Sequence, residues 1–400
     1  MQEAAGPESR HRSCHIDPPR RSLAMPDTRI AFTSCFDTTF GHEQPVWDRI
    51  RAQQPHALLL LGDSIYMDWG LETQTRVPTW KTAFLGDPVQ GLAQFRQAMY
   101  ARYKAQWEHP GFQALVRSVK GNVRAVRDDH DFAWNDCTAA GDPDRGRYVP
   151  PALQAVSHRL FRQFLAALVD PPEVYPSLDA SDRQLATPVW QEAWAVAGVP
   201  VLMLDERSAR TDLQDPAPSL LGAAQAQWLY GQVAQGDGLL IVAGSTPMRH
   251  GRDGGWEKVD PLAPVPQSWA FPEYRGFLDA AAQAGRPTLY LAGDIHRNRY
   301  GGPVEPRSPV IQVVSSGAAQ PWLKNAVPIG LPFWFNKSEK FGMLHLEGLD
   351  AGLRNGTVRV DLHKEDRVDE SILLPLRDGR WRSPPRGNCA YRHPEPFNGQ

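Results

Sequence analysis

The sequence predicts an α/β fold in which two β-sheets pack face to face with helices on the outside. Three observations predict it. Apolar runs that read as buried strands end abruptly in carboxylates at Leu58-Leu59-Leu60-Leu61-Gly62-Asp63, at Val123 to Asp131, and at Leu289-Tyr290-Leu291-Ala292-Gly293-Asp294. Strand-like and helix-like segments alternate from residue 29 to residue 294, the pattern of sheets covered by helices. Beyond residue 300 the chain changes to short apolar runs separated by turn residues, which read as an antiparallel second sheet.

The elements follow in order. Residues 29 to 35 read as a first strand, and 46 to 54 as a short helix leading to the strand at 57 to 62. From 89 to 107 and from 152 to 169 apolar residues recur at three and four; Leu153, Val156, Leu160, Phe161, Phe164, Leu165 and Leu168 line one face of the second helix. A strand at 199 to 204 precedes Asp205, a helix around 222 to 235 leads to the strand Leu239 to Ala243, and a helix at 272 to 284 feeds the strand ending at Asp294. Short runs at 309 to 315, 341 to 347, 357 to 363 and 371 to 376 follow, with Asn355-Gly356 as a turn. Residues 69 to 88, 136 to 150 and 250 to 268 read as loops of the kind that often border a site. One domain is expected over 29 to 376, between a disordered tail at 1 to 28, with Met25 as a candidate start, and a Pro- and Arg-rich tail at 377 to 400.

Composition narrows the function classes. With 42% hydrophobic and 22% charged residues the 400-residue chain can bury a sizeable core. A net charge of -2 gives no nucleic-acid surface and no polybasic membrane patch. Nothing approaches the roughly 18 consecutive apolar residues of a spanning helix, so no membrane role is expected. Arg20-Arg21 resembles a twin-arginine signal, but no apolar stretch follows it. Cysteines at 14, 35, 137 and 389 are too few and too scattered for a disulfide framework, which favours a reducing compartment or simply irrelevance of disulfides; a cytoplasmic setting is expected. The oligomeric state is not legible.

Carboxylates at the carboxyl ends of buried strands sit where an α/β fold opens its ligand crevice. Several in one crevice repel one another, and bound cations are the usual means of neutralising them. Taken singly, Gly62-Asp63 or Gly293-Asp294 reads equally as an ordinary strand-to-loop turn. Together they point to a metal site. Tyr66 follows Asp63 by three residues, His130 adjoins Asp129, and His296 lies two beyond Asp294, on the same face if the strand geometry continues. Such ligands suit iron, manganese, zinc or calcium. Cys35, at the end of the first strand, reads on its own as a buried free cysteine; beside the strand of Asp63 it becomes a soft thiolate ligand.

Ser34-Cys35, Gly62-Asp63-x-x-Tyr66, Asp128-Asp129-His130-Asp131 with Asn135 downstream, Leu204-Asp205-x-Arg207-x-x-Arg210 and Gly293-Asp294-x-His296 occur in this order. The series resembles the alkaline phosphatase D (PhoD-like) family, a branch of the calcineurin-like metallophosphoesterases, over residues 29 to 320. The resemblance implies a four-layer α/β/β/α sandwich of two mixed sheets, and hydrolysis of a small-molecule phosphomonoester or phosphodiester at a metal centre. It implies that Cys35, Asp63, Tyr66 and Asp294 surround one metal, iron in the secreted members, and that Asp63 bridges to a second. Asp129, Asn135 and His296 would help form that second site, with calcium as its ion and manganese or zinc as alternatives. Two such cations can hold a bridging hydroxide as nucleophile and clamp the phosphoryl oxygens. His130 is then placed to protonate the leaving alkoxide, or to hold a ligand carboxylate in place. Arg207 matches phosphate oxygens bidentately, or else pairs with Asp205 or Asp131; Arg210 is a weaker candidate.

Some positions depart from the family pattern. The Asp-x-His opening of the simpler metallophosphoesterases is absent, and Cys35 is the family's substitute. Ser245 lies where many relatives place a metal-binding histidine, and His250 reads as a loop residue. The amino-terminal β-domain and export signal of the secreted enzymes are not found, which argues against an extracellular role. His42, His56, His109 and His158 carry no motif and read as surface or structural residues. Trp69, Trp134, Trp322 and Trp334 line the pocket or pack the core. Two competing readings stand beside this one. In a GDSL-type esterase Ser64 would be the nucleophile, yet Asp294-x-His296 is one residue short of the required pair. In an inactive binding protein the same fold would persist without chemistry.

Overall fold

The computed structural model describes residues 25–38, 43–68, 78–179, 191–248, 271–304, 308–319 and 339–382. Residues 1–24, the loop at 250–268, His42, His250, Trp69, Trp322, Trp334 and residues 383–400 lie outside the described residues. Among the described residues there are thirteen strands and eight helices.

The first sheet is built around β1 (Thr28–Thr33), with β2 (Ala57–Leu61) and β3 (Val123–Val126) parallel to it on one side. On its other side β1 pairs antiparallel with β10 (Lys340–Glu347), which continues to β11 (Gly356–Lys364), β12 (Arg367–Arg377) and the short β13 (Arg380–Trp381). In the second sheet β5 (Val199–Met203), β6 (Leu240–Ala243), β7 (Thr288–Ala292) and β9 (Val310–Val314) run parallel, flanked by antiparallel edges β4 (Glu192–Val196) and β8 (Arg299–Pro303). Both sheets are therefore mixed.

Side-chain alternation along the strands builds the layers. Ile30, Phe32, Leu59 and Leu61 of the first sheet meet Val201, Met203, Ile241, Leu289 and Leu291 of the second. The intervening positions Ala31, Leu58 and Leu60 face outward. They pack on Trp47 of α1 (Val46–Ala52), on Phe95, Met99 and Tyr103 of α3 (Pro88–Glu108), on Phe112 of α4 (Pro110–Ser118), and on Phe161 and Phe164 of α6 (Pro151–Val169). Leu202, Leu240, Val242 and Tyr290 bury against Leu229 and Val233 of α7 (Gly222–Ala234) and Phe277 of α8 (Pro272–Ala284). Three apolar seams between four layers give an α/β/β/α sandwich. Among the described residues no helix is long and apolar enough to cross a membrane.

The structure corrects the expectation of a separate antiparallel second sheet. The run at 309 to 315 is β9, parallel to β7, while the last strands join the first sheet through β10. A parallel β1-β2-β3 core leaves one side of β1 unpaired, and a returning strand satisfies those backbone groups. Three helices are absent from the sequence reading: α2 (Thr79–Gly86) before α3, α4 between α3 and β3, and the short α5 (Asp129–Phe132) after β3. The β12-β13 hairpin continues through Trp381, into the stretch read as a tail, and the Met25 backbone N–H donates to the Leu349 carbonyl at 2.7 Å.

Candidate metal centre

The strand ends of both sheets meet here, and two glycines permit it. Gly62 has φ of +94°, and a Cβ there would lie 2.7 Å from Asp128 Cβ. A Cβ at Gly293 would fall 2.4 Å from Ser34 Oγ and 2.5 Å from the Leu61 carbonyl. Each Gly-Asp pair thus joins two demands, close backbone contact and a carboxylate just beyond it. Gly293→Ala is expected to lower stability by about 1–3 kcal/mol through overpacking. Gly231→Ala, in open space on helix α7, should raise it by up to ~1 kcal/mol. Urea unfolding of both variants checks the pair; equal effects would mean that the two sheets do not need this close approach.

Backbone strain collects at the same place. Cys35, Asp63, Asp294 and His296 all sit at positive φ, at 60°, 51°, 67° and 53°. Left-handed backbone is costly for residues with a Cβ and clusters at functional sites. Here it aims four side chains at one volume.

Three groups of candidate ligands, each with atoms within 4.8 Å of one another, share Asp63: Cys35 with His296, Asp129 with His130, and Asp128 with Asp294. Cys35 Sγ lies 3.4 Å from Asp63 Oδ2, and Tyr66 Oη lies 3.3 Å from both Asp63 Oδ2 and His296 Nε2. Ser34 and Ser316 hydroxyls donate to Cys35 Sγ at 3.4 and 3.2 Å. His296 therefore sits with Cys35, Asp63 and Tyr66, whereas the side chain of Asp294 groups with Asp128. Asn135 is exposed, and its backbone N–H donates to Asp68 Oδ2 at 2.7 Å.

The electrostatics fit cations. Burial pushes the carboxyls of Asp63 and Asp294 well above their usual range, and neighbouring aspartates push them further. Burial and then Asp63 raise the Cys35 thiol in the same way. Burial, with His130 and Lys340 nearby, lowers His296 to about 3, which leaves a neutral imidazole able to ligate. Asp63 Oδ1 and Asp128 Oδ2 are buried without a hydrogen-bond partner. Buried acceptors are normally satisfied, and these lone pairs fit metal ions. The pocket of thiol, imidazole, phenol and carboxylate suits iron or zinc, and the all-carboxylate pocket of Asp63, Asp128 and Asp294 suits a harder ion.

One residue here, Asp68, escaped the sequence reading, and so did the partner of Arg207. Asp68 Oδ1 lies 2.6 Å from His130 Nδ1. Burial works against the charged form of His130, but Asp68, Asp129 and Asp63 outweigh it and hold its pKa well above the ordinary value. Asp128 is the partner of Arg207, whose Nε and Nη2 both bond to its Oδ1. That replaces the expected alternatives of Asp205 or Asp131. The spacing Asp63-x-x-Tyr66-x-Asp68 was the available signal for Asp68.

Asp205 shapes the turn that carries Arg207. Its Oδ1 accepts from the Arg207 and Ser208 backbone at 3.0 and 2.9 Å, and its Oδ2 accepts from Arg127 Nη2 at 3.1 Å. Arg127 Nη2 also lies 2.6 Å from His158 Nδ1. Burial and the Arg127 charge lower His158 to about 3, against about 6.5 in an unfolded chain. Between these values the unfolded chain binds the extra proton, so this contribution is intact above pH ~6.5 and lost as pH falls toward 3. His158→Asn, which keeps an acceptor for Arg127, should flatten the fall in urea midpoint between pH 7 and pH 4.5. An unchanged slope would show that His158 does not carry it.

The remaining positions have structural places. His56 Nδ1 accepts from the Arg29 N–H, His109 Nδ1 caps helix α4, and Trp134 is buried in the helix-covered core. Ser245 Oγ lies 3.2 Å from the buried Glu206. Ser64 is fully buried, and its Oγ has no hydrogen-bond partner, so no base is in reach to make it a nucleophile.

The PhoD-like phosphatase family matches residues 30–307. The chain belongs to that family. A solved structure described as the structure of PhoD superposes with a TM-score of 0.56 at 14% identity, covering 90% of this chain and 72% of its own. That likeness shows the metallophosphatase-like fold. The crystal structure of the protein TT1561 of Thermus thermophilus superposes at a TM-score of 0.35 and 8% identity, covering 85% of this chain and 99% of its own, and carries no argument. No curated protein matches the chain. As a PhoD-like phosphatase the chain is a hydrolase of a family that implies metal ions, and its candidate ligands stand together at the strand ends.

Proposed function

We propose that this PhoD-like chain is a metal-dependent phosphoric ester hydrolase acting on small-molecule phosphate esters. The observation that carries the reading is the position of Asp63, common to three groups of candidate ligands where the two sheets meet. Cys35, Tyr66 and His296 would hold the softer ion, iron by family resemblance. Asp128, Asp129 and Asp294 would hold the harder one, calcium by resemblance or manganese, with Asn135 at the rim. When bound, such ions would supply Lewis-acid polarisation of the phosphoryl group and an acidified water as nucleophile.

The chain's own groups supply the rest. His130, anchored through Nδ1 by Asp68, presents Nε2 to the leaving oxygen and gives it a proton. Arg207, held by Asp128, keeps Nη1 for a phosphoryl oxygen. In this reading residues 29–376, extended by the hairpin to Trp381, are one catalytic domain. A cytoplasmic setting goes with this reading, from the scattered cysteines of the sequence.

The test is elemental analysis of the purified protein, followed by turnover of a monoester and a diester before and after chelation. Bound metal and chelator-sensitive turnover are expected. Protein that holds no metal and turns over neither substrate across a metal panel would overturn the proposal.

A further inference from the structure

Two guanidinium groups lie buried at the edge of the centre with donors unspent. Arg207 gives Nε and Nη2 to Asp128, and its buried Nη1 has no partner. Arg210, three residues on, is 2% exposed, and its Nη1 is likewise buried without a partner. Among the described residues the Arg210 side chain makes no hydrogen bond or ion pair; its guanidinium lies over the Phe271 ring, 5.4 Å from the centroid. Its backbone carbonyl accepts from Ala139 and Ala140 at 3.0 Å each, which fixes it against the 136–150 loop. The neighbouring charges that act on it are Arg207, Asp136, Asp128 and Asp129.

A structural arginine in the interior gives at least some of its donors to fixed partners, because an unmatched buried charge costs several kcal/mol; Arg127, which also keeps Nε and Nη1 unpartnered, gives Nη2 to Asp205 and His158, whereas Arg210 gives none among the described residues. Two like charges side by side add repulsion. An anion placed between them removes both costs, and planar guanidinium groups match phosphoryl oxygens. The charge of that anion matters. A phosphomonoester presents three free oxygens and close to two negative charges at neutral pH; a diester presents two oxygens and one charge. Against a diester, one buried donor faces an ester oxygen, and sites built for a hydrogen bond reject the analogue that cannot make it.

We propose that Arg210 is a substrate-binding residue which, with Nη1 of Arg207, takes the third oxygen of a terminal phosphoryl group and makes the centre favour phosphomonoesters over phosphodiesters. The inference rests on the phosphoric ester reading above.

The test uses Arg210→Lys and Arg210→Gln in the full chain. Metal content, inhibition by inorganic phosphate, and kcat/KM for a monoester and a diester with the same aryl leaving group are measured. Metal content equal to wild type is expected. Phosphate affinity and the monoester-to-diester ratio of kcat/KM should each fall about 10- to 100-fold, the range of a lost charged hydrogen bond. Lysine keeps the charge without the fork, so it decides the matter should the glutamine variant not fold. Unchanged phosphate affinity and an unchanged ratio, or loss of metal in both variants, would overturn the inference. Wild-type protein without chelator-sensitive turnover would instead sink the underlying hydrolase reading.

Discussion

Asp63→Ala should strip the centre of metal and of activity together. Asp63 belongs to all three candidate ligand groups, so its removal leaves each one short, whereas loss of Asp129 or Cys35 leaves two intact. Removing Lewis-acid stabilisation worth several kcal/mol corresponds to a loss of kcat/KM on the order of 10^3-fold or more. Stability should move the other way. Without cations the buried Asp63 carboxyl is held well above its ordinary pKa by burial and by Asp128, Asp129 and Asp131, and Oδ1 is unsatisfied. Asp63→Asn keeps the shape and tolerates the left-handed backbone at this position. It is expected to be at least as stable in urea as metal-free wild type, while binding no metal. This is the trade between stability and function that strained sites show. An Asp63→Ala protein that kept both its metal and its turnover would refute the assignment of the centre.

The second large effect is expected at His130, and it depends on the leaving group. With an alkyl ester the departing oxygen needs a proton, and His130→Ala should lower kcat by about 10^2- to 10^4-fold. With a nitrophenyl ester, whose leaving group departs as a stable anion, the loss should be within about tenfold, because little general-acid assistance is at stake. Asp68→Asn should reproduce the same selectivity more weakly, since Asp68 lies 2.6 Å from His130 Nδ1 and would act by orienting the ring. Metal content separates this role from ligation. Equal losses for both esters, or loss of metal from His130→Ala, would remove the acid role.

Much of the fold was legible because its signals are local. Leu58 to Leu61 and Leu289 to Ala292 are buried at every position, as strands covered on both faces must be. The helix over 152 to 169 carries its apolar face in its own periodicity. What stayed hidden was pairing. Nothing local in Lys340–Glu347 says that it lies beside Thr28–Thr33, more than three hundred residues earlier, because strand order depends on which edge is left unpaired. The centre divides in the same way. Asp63, Asp129, Asp294 and His296 announce themselves by position at strand ends. The link of Asp68 to His130, and of Asp128 to Arg207, exists only once separate loops are brought to hydrogen-bond distance.

Local sequence pointed to a crowd of carboxylates at strand ends, and the ordered motifs pointed to the PhoD-like family that the family match bears out. Local sequence also determined the α/β class through periods of two and 3.6. Which donors share a pocket, which arginine donors remain unspent and which sheet receives the last strands were settled by the fold as a whole. Those depend on distances between residues far apart in the chain, set by packing and backbone pairing, and no local pattern of side chains encodes them.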